Sequence, residues 1–206
     1  MGNRTVVLKR KTKETDIKLT LDFDAKGVDI DTPVAFFNHM LTAMAFHGGF
    51  ALSVKADGDV DVDPHHLVED LGLVLGDALA KSAAKTGVVK RYGYSIIPMD
   101  EAVSEAVIDI CGRPSMVLNA DFPQPKAGTF DMCLIREFLI ALSNRAQIAL
   151  HCTCRYGQNS HHMAEALFKA LGKAIAQSYA PADSEDRKST RLNSSHELTS
   201  RMPSSA

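Results

Sequence analysis

The sequence predicts an α+β fold built from two copies of one unit, and three patterns indicate it. The motif His-His-x-x-Glu opens two amphipathic segments of helical period, at residues 65–83 and 161–179. Another amphipathic helix precedes each of them, and short alternating segments typical of β-strands lie upstream and between. We therefore expect each half to form a small, mostly antiparallel sheet with two helices. The halves should pack about a pseudo-twofold axis, with helices against helices.

The two copies align almost residue by residue. HHLVE at residues 65–69 recurs as HHMAE at residues 161–165, and this offset of 96 residues continues to Ser82 and Ser178. Upstream of the motifs, apolar positions match at an offset of 98 residues instead. The loop that joins strand to helix is therefore two residues shorter in the second copy.

Each copy is expected to form strands, a helix, a strand and a closing helix, in that order. In the first copy the predicted elements cover residues 6–9, 17–23, 34–46, 50–56 and 65–83. In the second copy they cover residues 102–110, 115–119, 131–145, 148–154 and 161–179. The first helix of each copy carries one apolar face, as its spacing of large apolar side chains shows. Asp63 and Ser160 are the predicted N-caps of the two closing helices.

Composition points to a small-molecule partner. The 206 residues include 23 Lys and Arg and 25 Asp and Glu, for a net charge of −2 at pH 7. So balanced a charge does not favour nucleic acid or an anionic membrane as a partner. Since neither a run of about 18 apolar residues nor a signal-peptide pattern occurs, we expect a cytoplasmic protein.

The chain divides into a first repeat half at residues 1–86, a second half at 87–180, and a tail at 181–206. The tail is rich in Ser, Thr, Asp, Arg and Pro and has no apolar period, so we expect it to be disordered. Its last residues, roughly twenty, resemble translated cloning sequence, and we expect them to be non-native.

The histidines of the two motifs indicate a pair of metal sites. In each motif the first histidine and the glutamate share one helix face, whereas the second histidine points roughly 100° away. About a twofold axis, each helix can give its His/Glu pair to one ion and its remaining histidine to the other. At the offset of 98, His39 overlies Glu137, which supplies a fourth ligand to each ion. The predicted ligands are therefore His39, His66, His161 and Glu165 for one ion, and Glu137, His65, His162 and Glu69 for the other.

The ligand types favour a divalent transition metal. Imidazoles and carboxylates without thiolates suit Mn, Fe, Co, Ni or Zn, and carboxylates with open positions favour manganese. The histidine pairs could instead cap helices or lie in a polar core. Two copies in register favour the metal interpretation, since core packing does not require histidine pairs twice. The HExxH motif of zinc proteases does not occur.

At these residues the sequence resembles imidazole glycerol phosphate dehydratase, an enzyme family of histidine biosynthesis. The resemblance spans about residues 4–179. The stretches that carry it are KTKET at 11–15, FFNHML at 36–41, HGGF at 47–50, RYG at 91–93, PMDEA at 98–102, GRP at 112–114, ALFKA at 166–170 and the two HHxxE motifs.

The resemblance implies a hydro-lyase, that is, a carbon–oxygen lyase. Its reaction is the dehydration of D-erythro-imidazole glycerol phosphate to imidazole acetol phosphate through a metal-bound imidazolate. Metals on the ring nitrogens would withdraw charge from the ring and so favour proton loss in the side chain attached to it. The resemblance further implies two Mn²⁺ ions per active site, with other divalent transition metals possible, and a homo-oligomer of 24 subunits.

Roles for single residues also follow from the resemblance. The implied catalytic residues are Glu14, Glu69 and Glu165, with Glu14 as the acid/base group. The implied substrate-binding residues are Glu14, His39, His47, His65, Arg91, Arg113, His161 and Lys169. The arginines would bind the phosphate through their guanidinium forks. Without the resemblance, Glu14 is a surface strand residue, the arginines are turn residues, His47 ends a helix and Lys169 is solvated.

Two points stay open at the level of sequence. His151, in an apolar strand, is either a structural residue or a residue that contacts a metal ligand without binding the metal itself. Members of the family commonly end in a phosphate-binding Ser-Thr-Lys-Gly segment, whereas this chain reads RKSTRLN at residues 187–193, so we expect weakened substrate binding.

Two other functions remain as alternatives. One is a non-catalytic dimetal-binding protein, which the phosphate-binding arginines disfavour, since a metal store needs no phosphate clamp. The other is a metal-dependent hydrolase, which would not need metal ions on both nitrogens of an imidazole ring.

Overall fold

The first half of the chain forms a four-stranded sheet and two helices. The computed structural model of the protein describes residues 4–183. The first half contains β1 Val6–Lys11, β2 Thr15–Asp22, β3 Val28–Asp31, α1 Ala35–Gly48, β4 Ala51–Gly58 and α2 His65–Thr86. The strand order across the sheet is β1-β2-β4-β3. Only the β3–β4 pair is parallel, so the sheet is mostly antiparallel, as predicted.

The second half repeats this arrangement. It contains β5 Tyr92–Met99, β6 Ala102–Asp109, β7 Ser115–Asn119, β8 Lys126–Ala127, β9 Phe130–Asp131, α3 Leu134–Ala146, β10 Ala149–Tyr156 and α4 Ser160–Ser178. Its main sheet has the order β5-β6-β10-β7, in which again only the last pair is parallel. The corresponding strands of the two halves therefore occupy corresponding places. The β8–β9 hairpin is an addition of the second half, among the residues that the structure describes.

Alternation of side chains decides which face of each sheet is buried. In β2, Ile17, Leu19 and Leu21 are buried, whereas Asp16 and Lys18, which alternate with them, are exposed. Successive residues of a strand point to opposite faces, so one face of the sheet is apolar. In the first sheet this face packs on α2, and in the second sheet the equivalent face packs on α4.

Helices of one half pack on helices of the other half. α1 lies against α4, and α2 lies against α3. The approach is close, because Gly72 of α2 lies against the α3 backbone at Phe138, and Gly172 of α4 lies against the carbonyl of Met44 in α1. This reciprocal packing is the one predicted for two halves related by a pseudo-twofold axis.

Aromatic rings from both halves form one shared core. Phe37 of α1 meets Phe138 of α3 and Phe168 of α4 edge-on, with ring centroids 5.1 and 6.3 Å apart. Phe130 of β9 stacks on Phe37 at 5.9 Å. All four rings are buried, and tilted or offset contacts of this kind stabilise a core beyond the burial of area alone. The two halves are therefore not independent globules.

The helices lie where periodicity predicts them, whereas some strands of the structure have no predicted counterpart. The predicted helix ends differ from the observed ones by at most three residues. The strands β3, β5, β8 and β9 were not predicted. β5 is an edge strand with Pro98 within it and Tyr92 and Tyr94 exposed, and these features hide the pattern of a half-buried strand.

Equivalent side chains accept hydrogen bonds from the first turns of the two closing helices. The N-cap of α2 is Pro64 and not the predicted Asp63, but the Oδ1 of Asp63 accepts a hydrogen bond from the backbone N–H of His65 at 2.6 Å. In the second copy, Asn159 Oδ1 accepts from the backbone N–H of His161 at 2.9 Å, 96 residues further along. The prediction that Ser160 is the N-cap is wrong. Its hydroxyl instead accepts from the backbone N–H of Gln124 at 2.8 Å.

The structure does not test two of the expectations drawn from the sequence. The division into residues 1–86 and 87–180 stays a prediction, with α2 ending at Thr86. Most of the predicted disordered tail, residues 184–206, lies outside the described residues, as does the RKSTRLN stretch. Within residues 4–183, no helix combines the length and apolarity needed to cross a membrane.

The contact of α4 with α1 predicts a severe effect of Gly172→Ala. A Cβ atom there would lie 1.9 Å from the carbonyl oxygen of Met44. We expect the free energy of unfolding to fall by about 3 kcal/mol or more, although alanine favours a helix by about 1 kcal/mol over glycine. Urea unfolding at fixed protein concentration measures the change. The neighbouring exposed residue provides the control, since Lys173→Ala should stay within about 0.5 kcal/mol of wild type. Equal stability of Gly172→Ala and wild type would contradict the close helix contact.

Candidate metal centre

Three predicted ligands meet in the groove between α1 and α4. His161 and Glu165 lie one turn apart on α4, with His161 Nε2 3.2 Å from Glu165 Oε2. His39 of α1 brings its own Nε2 to within 3.2 Å of the same oxygen. The donor atoms of the three residues all lie within 4.8 Å of one another, and no other such group of three occurs in the described part of the chain.

The packing of both helices holds these side chains in place. The cap at Asn159 fixes the first turn of α4, from which His161 projects. Phe36 of α1 meets the His161 ring edge-on, with centroids 5.2 Å apart. The Glu165 side chain is only 10% exposed. The donors are therefore preorganised rather than gathered from mobile surface residues.

Hydrogen bonds keep the buried Glu165 ionised. Burial by itself would raise the pKa of Glu165, but hydrogen bonds from Lys169 and His39 outweigh that effect and lower the pKa. The Nζ of Lys169 lies 2.8 Å from Glu165 Oε1. The other carboxylate oxygen, Oε2, faces the two imidazoles. Glu165 thus presents an anionic oxygen between two nitrogen donors, as a cation site requires.

Lysine side chains and a histidine continue the groove beyond Glu165. Lys169 follows one turn later on α4, and His47 lies at the end of α1. Gly48, the residue after His47, lies against the carbonyl of Gly172 on α4, and the pKa of His47 is lowered by partial burial and then by the charges of Lys169 and Lys173. The predicted substrate-binding residues His47 and Lys169 therefore lie beside the three-residue cluster. This end of the groove suits an anionic group.

An open cavity adjoins the cluster on its other side. It has a volume of about 700 Å³ and lies between α1, the start of α4 and the β8–β9 hairpin. Phe36, Lys126, Asn159 and His161 are among its lining residues. A pocket of this size accommodates a small organic molecule next to the His161 ring.

The equivalent group in the first copy is looser. His65 Nε2 lies 3.8 Å from Glu69 Oε2, and these side chains are 42% and 46% exposed. Glu137 is half-buried on α3, the helix that packs on α2. Relative to His65 and Glu69, Glu137 therefore lies on the packed neighbouring helix, as His39 does relative to His161 and Glu165.

The second histidine of each motif contacts a carboxylate of its own copy. His66 Nδ1 lies 3.0 Å from Asp59 Oδ2, and His162 Nδ1 lies 2.7 Å from Glu101 Oε2. The hydrogen bond with Asp59 raises the pKa of His66. In the other pair, the hydrogen bond with His162 is the main cause that lowers the pKa of Glu101 to about 2.

Neither of these histidines joins the cluster of three within a single described chain. Their assignment as ligands stays a prediction. The sequence analysis assigned no role to their partners, Asp59 and Glu101. Glu101 lies in the PMDEA stretch. Because β5 was not predicted as a strand, the turn between β5 and β6 that brings Glu101 to α4 was not predicted either.

Glu14 lies in the turn between β1 and β2, close to His66. Its backbone carbonyl accepts a hydrogen bond from the N–H of Asp59 at 3.1 Å. Its exposed carboxylate makes no hydrogen bond or ion pair to any residue among 4–183, although its charge contributes to the raised pKa of His66.

The two predicted phosphate-binding arginines lie far from the cluster along the chain's second sheet. Arg91 precedes β5, and its Nε donates to Asp109 Oδ1 at 2.6 Å. The turn with Glu101 follows β5, whose eight residues span about 26 Å at roughly 3.3 Å per residue. Arg113 is exposed just before β7, at the same end of the sheet as Arg91. One chain by itself therefore does not place these arginines beside the cluster.

His151 lies on the outer face of the second sheet. It is exposed and stands in register between Val107 of β6 and Val117 of β7, which are also partly exposed. Cys152, the next residue of β10, points into the core and is fully buried. His151 thus lies on the face of β10 opposite to the helices.

Comparisons with known proteins agree on one family. A sequence model described as imidazoleglycerol-phosphate dehydratase matches residues 32–175. The dehydratase of Bacillus subtilis is 50% identical over 81% of this chain and 86% of its own length. That of Gluconobacter oxydans is 48% identical over 84% and 88%.

Solved structures give the same result. The crystal structure of imidazoleglycerol-phosphate dehydratase from Staphylococcus aureus matches with a TM-score of 0.77 and 36% identity, over 86% of this chain and 99% of that chain. The crystal structure of the dehydratase from Pyrococcus furiosus also matches with a TM-score of 0.77, at 33% identity over 85% of this chain and 95% of that chain.

Proposed function

Since the chain belongs to the imidazoleglycerol-phosphate dehydratase family of histidine biosynthesis, we propose that its active site holds divalent metal ions on the paired histidines and glutamates. The observation that carries this proposal is the convergence of His39 and His161 on one oxygen of Glu165. Membership of an enzyme family disfavours the non-catalytic metal-binding alternative.

The donor set fits a divalent transition metal. Two imidazoles and one carboxylate come from two helices that the core holds together, and no thiolate lies among them. This chemistry suits manganese and its neighbours in the first row. The proposed cofactor is therefore two Mn²⁺ ions per active site, the second on the equivalent residues His65, Glu69 and Glu137.

The proposed ligands His66 and His162 would complete these ions from other copies of the chain. Both side chains reach the surface, with 51% and 26% of their area exposed, and neither joins the three-residue cluster of its own chain. The position of the arginines supports the same idea, because Arg91 and Arg113 lie at the opposite end of the second sheet. We propose a homo-oligomer of 24 subunits in which neighbouring copies complete each site.

The proposed reaction removes water from imidazole glycerol phosphate. When bound, the divalent ions would supply positive charge that stabilises the negative charge developing on the imidazole ring. Glu14 takes the proton from the second side-chain carbon, the one that becomes the ketone, since its carboxylate is exposed and makes no hydrogen bond or ion pair within residues 4–183. The hydroxyl on the carbon beside the ring leaves as water with the proton that Glu14 has taken. The resulting enol gives the ketone of imidazole acetol phosphate when its hydroxyl proton moves to the carbon beside the ring.

Lysine, arginine and histidine side chains bind the phosphate in this proposal. Lys169 lies in the groove next to Glu165 and supplies positive charge, and His47 supplies a ring N–H donor, since its lowered pKa favours the neutral imidazole. Arg91 and Arg113 would come from a neighbouring copy, where a guanidinium fork can bind two phosphate oxygens at once. Arg91 is already oriented by Asp109 and lies over the Tyr92 ring at 4.8 Å.

Metal titration tests the cluster. We expect chelator-stripped wild type to bind about two Mn²⁺ ions per subunit and to regain dehydratase turnover, as two-metal chemistry requires. His161→Ala should weaken binding at one class of sites by more than about 100-fold, because it removes a ligand rather than an outer contact. Isothermal titration calorimetry gives both stoichiometry and affinity. His151→Ala is the control, because that side chain faces away from the helices. Wild-type affinity in His161→Ala would exclude the proposed ligand set.

Glu137 carries the proposal for the second ion. Glu137→Ala should reduce Mn²⁺ content from about two ions to about one per subunit, since the carboxylate of α3 is a predicted ligand of the second site. Elemental analysis after removal of free metal measures the content. Unchanged metal content in this variant would remove Glu137 from the ligand set.

Replacement of the acid/base group should separate turnover from metal binding. We expect Glu14→Gln to lower kcat by about 100-fold to 10,000-fold, because the amide cannot accept the carbon-bound proton. Its Mn²⁺ affinity should equal that of wild type, because Glu14 is not a proposed ligand. Steady-state formation of imidazole acetol phosphate, at saturating Mn²⁺, measures kcat. A variant with wild-type kcat would assign the proton transfer to another residue.

A further inference from the structure

The two copies share a hairpin turn that carries a glutamate at the same place. β1 and β2 are joined by Thr12, Lys13 and Glu14, with the Thr12 N–H bonded to the Thr15 carbonyl, and β5 and β6 are joined by Asp100 and Glu101. Glu14 and Glu101 each directly precede the second strand of their hairpin, so they are structural equivalents, although the sequence around them differs. Each turn lies next to the second histidine of its own HHxxE motif.

The two glutamates have different partners. Glu101 Oε2 lies 2.7 Å from His162 Nδ1, and its Oε1 accepts hydrogen bonds from the backbone N–H groups of Gln158 and Asn159 at 3.1 and 2.9 Å. Glu14 makes none of these side-chain contacts in the described structure. In the first copy the equivalent histidine, His66, is bound by Asp59 instead, at 3.0 and 3.3 Å.

The residue that follows an equivalent glycine in each copy differs. In the first copy Gly58 pairs with Thr15 and lies against Leu67, and Asp59 follows it. In the second copy β10 shifts its register between Cys154 and Tyr156, so that Gly157 lies against Ala102 and Met163, and Gln158 follows it. Gln158 supplies no carboxylate to His162, and the hairpin glutamate does so instead.

Both carboxylates act on the same ring nitrogen. An ionised carboxylate accepts hydrogen bonds only, so the Nδ1 of each histidine must be the protonated nitrogen. In the neutral ring this leaves the Nε2 lone pair available to a metal ion, and the hydrogen bond fixes the ring orientation.

We propose that Asp59 and Glu101 are positioning residues that orient His66 and His162 as metal ligands, and that Asp59 thereby leaves Glu14 available for proton transfer. This inference rests on the proposed dehydratase function. It explains how a duplicated unit gives one reactive carboxylate rather than two, since the other hairpin glutamate is held by three hydrogen bonds.

Paired amide substitutions test this division of roles. In Glu101→Gln, the amide oxygen can still accept from Gln158 and Asn159, but the amide nitrogen cannot accept from His162. We expect Mn²⁺ affinity to fall about 10-fold to 100-fold in Glu101→Gln and in Asp59→Asn, as for other supports of metal-bound histidines. Saturating Mn²⁺ should restore most of the turnover in both variants. Asp61→Asn, an exposed carboxylate of the same loop as Asp59, is the control and should bind Mn²⁺ like wild type.

Comparison with Glu14→Gln completes the experiment. That variant should keep wild-type Mn²⁺ affinity and lack turnover at every Mn²⁺ concentration, the reverse of the Glu101→Gln behaviour. Calorimetry on stripped protein and initial rates across a Mn²⁺ series measure the two properties separately. Wild type is measured first, since absence of Mn²⁺ binding or turnover there would overturn the proposed function itself. If wild type does both, unchanged affinity in Glu101→Gln and Asp59→Asn would overturn only the positioning roles, as would loss of turnover that Mn²⁺ does not restore.

Discussion

The close contact between α1 and α4 is the constraint on which the candidate site depends. His39 and His161 are more than a hundred residues apart in the chain, and they meet only because Gly172 lets the backbone of α1 approach α4. A wider separation would leave Glu165 with one imidazole rather than two. The same packing buries Glu165, so that its charge acts on the groove with little screening by water. Core packing and metal chemistry therefore share one set of contacts.

The sequence predicted the repeated part of the molecule best. Helical period and the two HHxxE motifs located four helices, the pseudo-twofold arrangement and the cluster of His39, His161 and Glu165 as candidates. Edge strand β5 was missed, because an edge strand tolerates proline and exposed rings that break alternation. The capping role of Asn159 was missed because Ser160 is also a common capping residue. The partners of His66 and His162 could not be predicted, since they come from loops whose positions depend on tertiary packing.

Divergence between the copies is as informative as their similarity. Equivalent positions hold His39 and Glu137, Glu165 and Glu69, and Glu101 and Glu14, and in each pair the environments differ. Glu165 is 10% exposed and lies 3.2 Å from both imidazoles, whereas Glu69 is 46% exposed and lies 3.8 Å from His65. A metal on the looser pair would gain less from preorganisation. Duplication supplies two similar frameworks, and single differences such as Gln158 in place of Asp59 then give them different chemistry.

The shared aromatic core has a consequence for how the halves find each other. A single copy of the unit would leave the apolar faces of its helices in water, because the other copy's helices are what cover them. Residues 87–91 join α2 to β5 and make that association intramolecular. A short connection of this kind sets an effective concentration of about a millimolar or more, independent of how much protein the cell contains. The pairing of the halves is thus protected from dilution in a way that a pairing of separate chains is not.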